Sequence, residues 1–160
     1  MSDVGALERE LVSELRVRMR DCDVHGHLHN TRYVDYVLDA RDDQLRTYGL
    51  DLLEFGHRTG LSWFVTMNQV RFYEPAKIGA LLRVVTRLTS YDEHRLHVEG
   101  RVYGSEERLC ALVWCTFRVI DLSTGAPAEH NDELMQLFRR AVLPLPSAPT
   151  FEERARSIER

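Results

Sequence analysis

Cysteine is scarce in this chain, and the three present, Cys22, Cys110 and Cys115, are odd in number and share no metal-type pair spacing. That argues against a disulfide framework, and reduced thiols are expected. Long apolar runs are also missing. No stretch approaches the roughly 20 apolar residues needed to span a bilayer, and the opening MSDVGALEREL lacks the apolar segment of a signal peptide. The expected protein is soluble and cytoplasmic, with no membrane partner. Nor is there an excess of positive charge: 21 basic and 25 acidic residues leave a net charge of -4. With no positive field to hold a phosphate backbone, nucleic acid is not an expected partner. Internal repeats are absent, and only the proline-rich LPLPSAP near the end is compositionally biased.

What is present suits one well-packed core: 160 residues, 44% of them hydrophobic. A single domain is expected over residues 1–143, with 144–160 as a loosely held tail. Leu15, Val17 and Met19 alternate with Glu14, Arg16, Arg18 and Arg20, the pattern of a half-buried strand. Tyr33, Val37, Ala40, Gln44/Leu45 and Tyr48 then recur at helical spacing, which predicts an amphipathic helix over 31–48. Residues 50–60 read as a connector. The rest is rich in strands: one long or bent strand over 61–73, a hairpin over 80–103, and a strand over 108–121 whose apolar residues fall on both faces, as expected of a central position. HNDELMQLFRRA reads as a short helix capped by Asn131 or Asp132. One long helix followed by antiparallel strands is an α+β pattern in which the sheet wraps the helix. The open sheet edge predicts pairing with a second copy, as a homodimer or homotetramer.

The chemistry-bearing residues concentrate between the first strand and the helix, in RDCDVHGHLHNTRYVDYVLDAR, residues 20–41. Loops held between rigid elements often carry function. Asp23 stands before a helix N-terminus, whose unpaired N–H groups and dipole favour negative charge. Three other readings of this segment compete. Asp23 and Asp21 fit turn or cap roles, His25, His27 and His29 fit metal ligands at alternate positions, and Cys22 beside His25 fits an activated thiol. Farther along, Trp63, Phe64, Phe72, Tyr73 and Trp114 suit core or subunit packing, with Trp63 and Phe64 also suited to an apolar pocket wall. Arg71, Arg83, Arg87, Arg95 and Arg101 suit either a solvated sheet face or the phosphates of a ligand.

The segment resembles the hotdog-fold acyl-CoA thioesterases of the 4-hydroxybenzoyl-CoA thioesterase-like group. Asp21-Cys22-Asp23 followed by Gly26 is similar to the acidic turn that opens that family's active site. Gly26-His27-Leu28-His29-Asn30-Thr31-Arg32-Tyr33 is similar to its Gly-His-Val-Asn-Asn-x-x-Tyr run, and Asp39-Ala40-Arg41 to its Glu-Ala-Arg. Val70 through Ala76 with Gly79, and Asp121 through Pro127, resemble later elements, so the likeness covers about residues 12–140. Two positions depart: His29 stands where the family has Asn, and Ala80 where it commonly has Asp.

The resemblance implies a hotdog fold, with an antiparallel sheet wrapped around one long central helix, and hydrolysis of an acyl-CoA or acyl-carrier-protein thioester. It makes Asp23 the catalytic carboxylate, as nucleophile or general base, with the Asn30 amide as oxyanion donor and His27 orienting the carboxylate or water. Gly26, His29, Tyr33, Trp63 and Phe64 are the expected substrate-binding residues. No metal or other cofactor is expected, since the family uses none and the resemblance puts the histidines in a turn. The alternative is a non-catalytic module that binds acyl-CoA or a carrier-borne chain. A hydratase motif, Asp-x-x-x-x-His, is matched poorly, because only four positions separate Asp23 from His27.

Overall fold

A computed structural model describes residues 9–159. Five strands form one fully antiparallel sheet: β1 (Leu11–Arg16), β2 (Leu61–Phe72), β3 (Leu81–Tyr91), β4 (Arg95–Tyr103) and β5 (Leu109–Asp121), in the spatial order β1-β3-β4-β5-β2. The helix α1 (Arg32–Thr47) lies across the concave face and contacts β1, β3, β4 and β5. The α+β expectation is met. Tyr33, Tyr36, Val37, Ala40 and Gln44 are the buried residues of α1, packed on Leu82, Val84, Val102 and Val113. The approach is close at Gly100 of β4, where a Cβ would lie 2.5 Å from Val37 Cγ1. Any larger residue there would force the helix away from the sheet.

Several expectations are corrected. The first strand ends at Arg16, before Met19, which is 79% exposed at the start of a 3-10 turn over Met19–Asp21. Val17 is the last inward residue; it exchanges backbone bonds with Ala80 O and Gly79 N, which draw the chain out of the sheet. The connector over 50–60 contains a second helix, α2 (Leu52–Thr59). Asp51 caps it by accepting from the Leu53 and Glu54 amides, and Gly60 ends it at φ +74°. β5 lies between β4 and β2, so it is an interior strand, but the middle position belongs to β4. The long strand β2 has a bulge between Val65 and Met67, and it occupies the sheet edge. Helix α3 (Asp132–Ala141) forms where expected, with Asn131 accepting from the Leu134 amide.

The largest correction concerns the tail. Residues Phe151–Ile158 form a helix, α4, opened by a capping box between Thr150 and Glu153. It is attached to the sheet by side chains that no local pattern announces. Arg154 donates from Nε and Nη2 to the two carboxylate oxygens of Glu99, both at 2.9 Å, and the Tyr73 hydroxyl donates to Ala155 O at 3.0 Å. Phe151 meets Trp114 edge to face. Glu99 is 0% exposed and also accepts from Arg87 and Trp114 Nε1. Burial works to raise the Glu99 pKa, but the bonds from Arg154 and Trp114 and the charges of Arg87 and Arg154 outweigh it and hold the carboxyl below its ordinary value. A buried carboxylate requires such partners, and α4 brings one of them.

Candidate active site

The segment between β1 and α1 is held by its own backbone. Asp23 N–H donates to His27 O at 2.8 Å, and Gly26 N–H to Asp23 O at 3.1 Å. Oδ1 of Asp23 accepts from the amides of His25 at 2.9 Å and His27 at 3.2 Å. Gly26 adopts φ +74°, a conformation that suits glycine. The turn is docked on the stretch between β2 and β3: Leu28 N–H donates to Ala76 O, and Ile78 N–H to Gly26 O. Gly26, His27 and Leu28 are thus brought together with Ala76 through Ile78, about fifty positions later in the chain.

Desolvation works to raise the Asp23 pKa, but the two amide bonds and the neighbouring His25 and His27 rings outweigh it, leaving the carboxyl below its ordinary value. It is therefore ionised at neutral pH. Asp21, the other acid of the motif, has a different setting. It is only 8% exposed, accepts from the Tyr36 hydroxyl at 2.9 Å, and faces Arg32 Nε at 3.7 Å, while its backbone oxygen accepts from His29 N–H. These contacts tie the turn to α1. Tyr36 was not singled out from the sequence, although it lies three residues after Tyr33 in the same helical face, which is the signal that marks it.

His29 and Asn30 sit exposed at the mouth of α1. The ring Nδ1 of His29 lies 2.9 Å from Thr31 Oγ1 and 3.3 Å from the Thr31 amide, so His29 braces the helix entrance. Among the described residues the Asn30 amide has no hydrogen-bond acceptor, and it stands immediately before Thr31, the N-cap of α1, beside the positive end of the helix dipole. Tyr33 is buried; its hydroxyl accepts from the Ala76 amide at 3.2 Å, and its ring meets Phe72 edge to face. Its polar atom thus holds the loop that supports the turn. Among the described residues no three His, Cys, Asp or Glu side chains are grouped to hold a metal ion, because the histidine segment bends through the turn rather than running extended.

Trp63 and Phe64 are adjacent on β2 and point to opposite faces. Trp63 stacks on Phe55, donates to His130 Nε2 at 3.0 Å, and lines a cavity of about 170 Å³ beside the C-terminal half of α1. No residue of the Asp21–Tyr33 segment lines that cavity. Phe64 is 57% exposed on the other face. The structure therefore does not gather these two aromatics with the turn inside one chain. Most of the cationic set is also engaged internally: Arg71 with Glu159, Arg83 with Glu107, and Arg87 and Arg101 with Glu99 and Glu10.

Known proteins share this fold. The bifunctional L-carnitine dehydrogenase/betainyl-CoA thioesterase of Rhizobium meliloti is 31% identical over 85 residues, 52% of this chain and 16% of that protein, so the chain spans about a sixth of that relative's length. A 1,4-dihydroxy-2-naphthoyl-CoA thioesterase from Synechocystis superposes with a TM-score of 0.71 at 19% identity, over 79% of this chain and 93% of its own. A Staphylococcus aureus protein solved in complex with CoA superposes with a TM-score of 0.75 at 16% identity, over 89% and 92%. These likenesses carry the hotdog fold. At the level of sequence, a model of the thioesterase-like superfamily matches residues 17–138, a span that includes the acidic turn, α1 and the whole of β2 to β5, and the chain belongs to that superfamily.

Proposed function

We propose that this protein hydrolyses an acyl-CoA-type thioester, adding water across the thioester bond to release a carboxylic acid and a free thiol, with Asp23 as nucleophile or general base. The observation that carries this reading is the ionised Asp23 carboxylate, pinned through one oxygen by two amides near the entrance of α1, with the Asn30 amide just before that helix unengaged among the described residues. Such a carboxylate attacks the carbonyl carbon or draws a proton from water. The Asn30 N–H, with the dipole of α1 behind it, then offers a donor to the oxyanion that develops. His27 orients the carboxylate through its amide in this scheme. Gly26 and His29 shape the approach to it.

CoA as the thiol carrier is supported by the betainyl-CoA and dihydroxynaphthoyl-CoA thioesterases among the similar proteins and by the CoA-bound fold neighbour. An acyl carrier protein is the competing carrier. The reading includes a homodimer or homotetramer: β2 is a twelve-residue edge strand that exposes Phe64, Val65 and Met67, apolar surface that pairing with a second copy would cover. Among the described residues no helix is long and apolar enough to cross a membrane, and the three free thiols suit the reducing cytoplasm.

Thiol release from aryl-, short- and long-chain acyl-CoAs tests the assignment. Asp23→Asn is expected to lower kcat by about 10²- to 10⁴-fold with little change in melting temperature. Asp21→Asn is expected to cost stability more than activity, because its carboxylate is bonded to Tyr36. Acyl-CoA that binds but is not hydrolysed would favour the non-catalytic module, and an unaffected Asp23→Asn enzyme would remove Asp23 from the chemistry.

A further inference from the structure

The cavity beside the C-terminal half of α1 has a charge pattern that the turn chemistry does not use. Leu45, Trp63, Leu88, Val98, Phe117 and Phe138 make its walls apolar. Two cationic residues, Arg9 and Arg41, also line it, and among the described residues no acidic one does. Arg41 Nη1 donates to Thr86 Oγ1 at 3.2 Å, while the Thr86 hydroxyl itself donates to Gln44 Oε1. Among the described residues no carboxylate lies within ion-pairing distance of Arg41, in contrast to Arg87, Arg101 and Arg154, which surround Glu99. Burial pushes the Arg41 pKa down to about 10, so it remains a cation at neutral pH. An unpaired cation beside an apolar cavity is costly, and an anion with an apolar body offsets the cost.

We propose that this cavity binds a small free carboxylic acid, with its ring or short chain among the apolar walls and its carboxylate on the Arg41 guanidinium. The planar guanidinium fork suits a carboxylate in two-point contact. The size is suitable too, since an apolar cavity of about 150 Å³ accepts benzene. The site is separate from the acidic turn, and its occupancy does not depend on the reaction proposed there. A bound acid would join α1 to α3, because Leu45 and Phe138 both line the cavity.

Calorimetric titration of the whole chain with phenylacetate and octanoate, against 2-phenylethanol and 1-octanol, tests this. The acids are expected to bind once per chain and at least about tenfold tighter than the matched alcohols, the worth of one charge-assisted bond. Arg41→Gln is expected to erase that preference, whereas Asp23→Asn is expected to leave it intact. Should Arg41→Gln fail to fold, the acid-to-alcohol ratio of the natural chain still decides, together with an acid-dependent change in fluorescence that disappears in Trp63→Phe. Equal affinities for acid and alcohol, no binding of either acid, or binding lost in Asp23→Asn would each overturn the proposal.

Discussion

The two ends of α1 are built on opposite principles. At its N-terminus the acidic turn is polar and partly exposed, and short-range hydrogen bonds place its side chains: Asp23 accepts from His25 and His27, and His29 meets Thr31. At its C-terminal half the surroundings are apolar and long-range. Phe55, Leu88, Val98, Leu134 and Phe138 form a second buried cluster there, beside the cavity that Arg41 lines. Under the proposed function the first end carries the chemistry on its exposed side, while Leu28, Tyr33 and Tyr36 anchor it in the core. The second contributes burial, and among the described residues its cavity is lined by the cations Arg9 and Arg41 and by no carboxylate. Activity and stability should therefore be separable by substitution along a single helix.

The sharpest way to break that separation is to empty the apolar end. Leu134 is 1% exposed, and Leu134→Ala is expected to lower unfolding free energy by about 3 kcal/mol while leaving kcat per folded molecule unchanged. Denaturant unfolding alongside thiol release measures both, and a proportional fall in kcat would show the two ends to be coupled. At the polar end the weighting reverses. Gly26→Ala brings the added carbon into ordinary van der Waals contact with Ile78 Cγ2 at 3.9 Å, but it forces alanine into φ +74°. The expected cost is about 1 kcal/mol of stability, with a loss of kcat on the order of tenfold as the Asp23 carboxylate is misplaced.

The smallest effect is one of pH, and it belongs to the apolar end. His130 accepts from Trp63 Nε1 at one ring nitrogen, and its Nδ1 lies 2.9 Å from Asp92 O, an arrangement that fits the neutral ring. Burial depresses its pKa, despite the bond to Asp92, and depresses that of His97 likewise. Because the unfolded chain then binds protons that the folded one resists, this stability is complete above about pH 6.5 and declines as pH falls through that value. Melting temperature should drop modestly between about pH 7.5 and pH 5.5. Asp23, whose pKa is lowered, would show its own loss only in more acidic solution, so a flat melting profile over the upper window would argue against the neutral His130 bond.

How far the sequence could be read follows the same division. The acidic turn, the start of α1 and the cap of α3 are legible because their signals are chemical and local: Asp23 bonds amides two and four residues away, and Asn131 one three residues away. The connector over 50–60 carried such a signal in Asp51, but its eight-residue helix is too short to show a full apolar stripe. Met19 continued the alternation beyond the point where Val17 is pulled toward Ala80, sixty-odd residues on. The arginines looked like a solvated face until the sheet register placed Arg87 and Arg101 around Glu99.

Residue order by itself thus determined the α+β plan, the helix that the sheet wraps and the turn that presents Asp23, since periodicity and neighbour-to-neighbour hydrogen bonds act over a few positions. Tertiary structure alone decided three other features. It set Trp63 inward and Phe64 outward, it tethered α4 to a glutamate 55 positions earlier, and it left Arg41, among the described residues, without a carboxylate beside a cavity whose walls run from Arg9 to Ala141. Burial and ion pairing depend on which distant segments meet, and no local pattern records that.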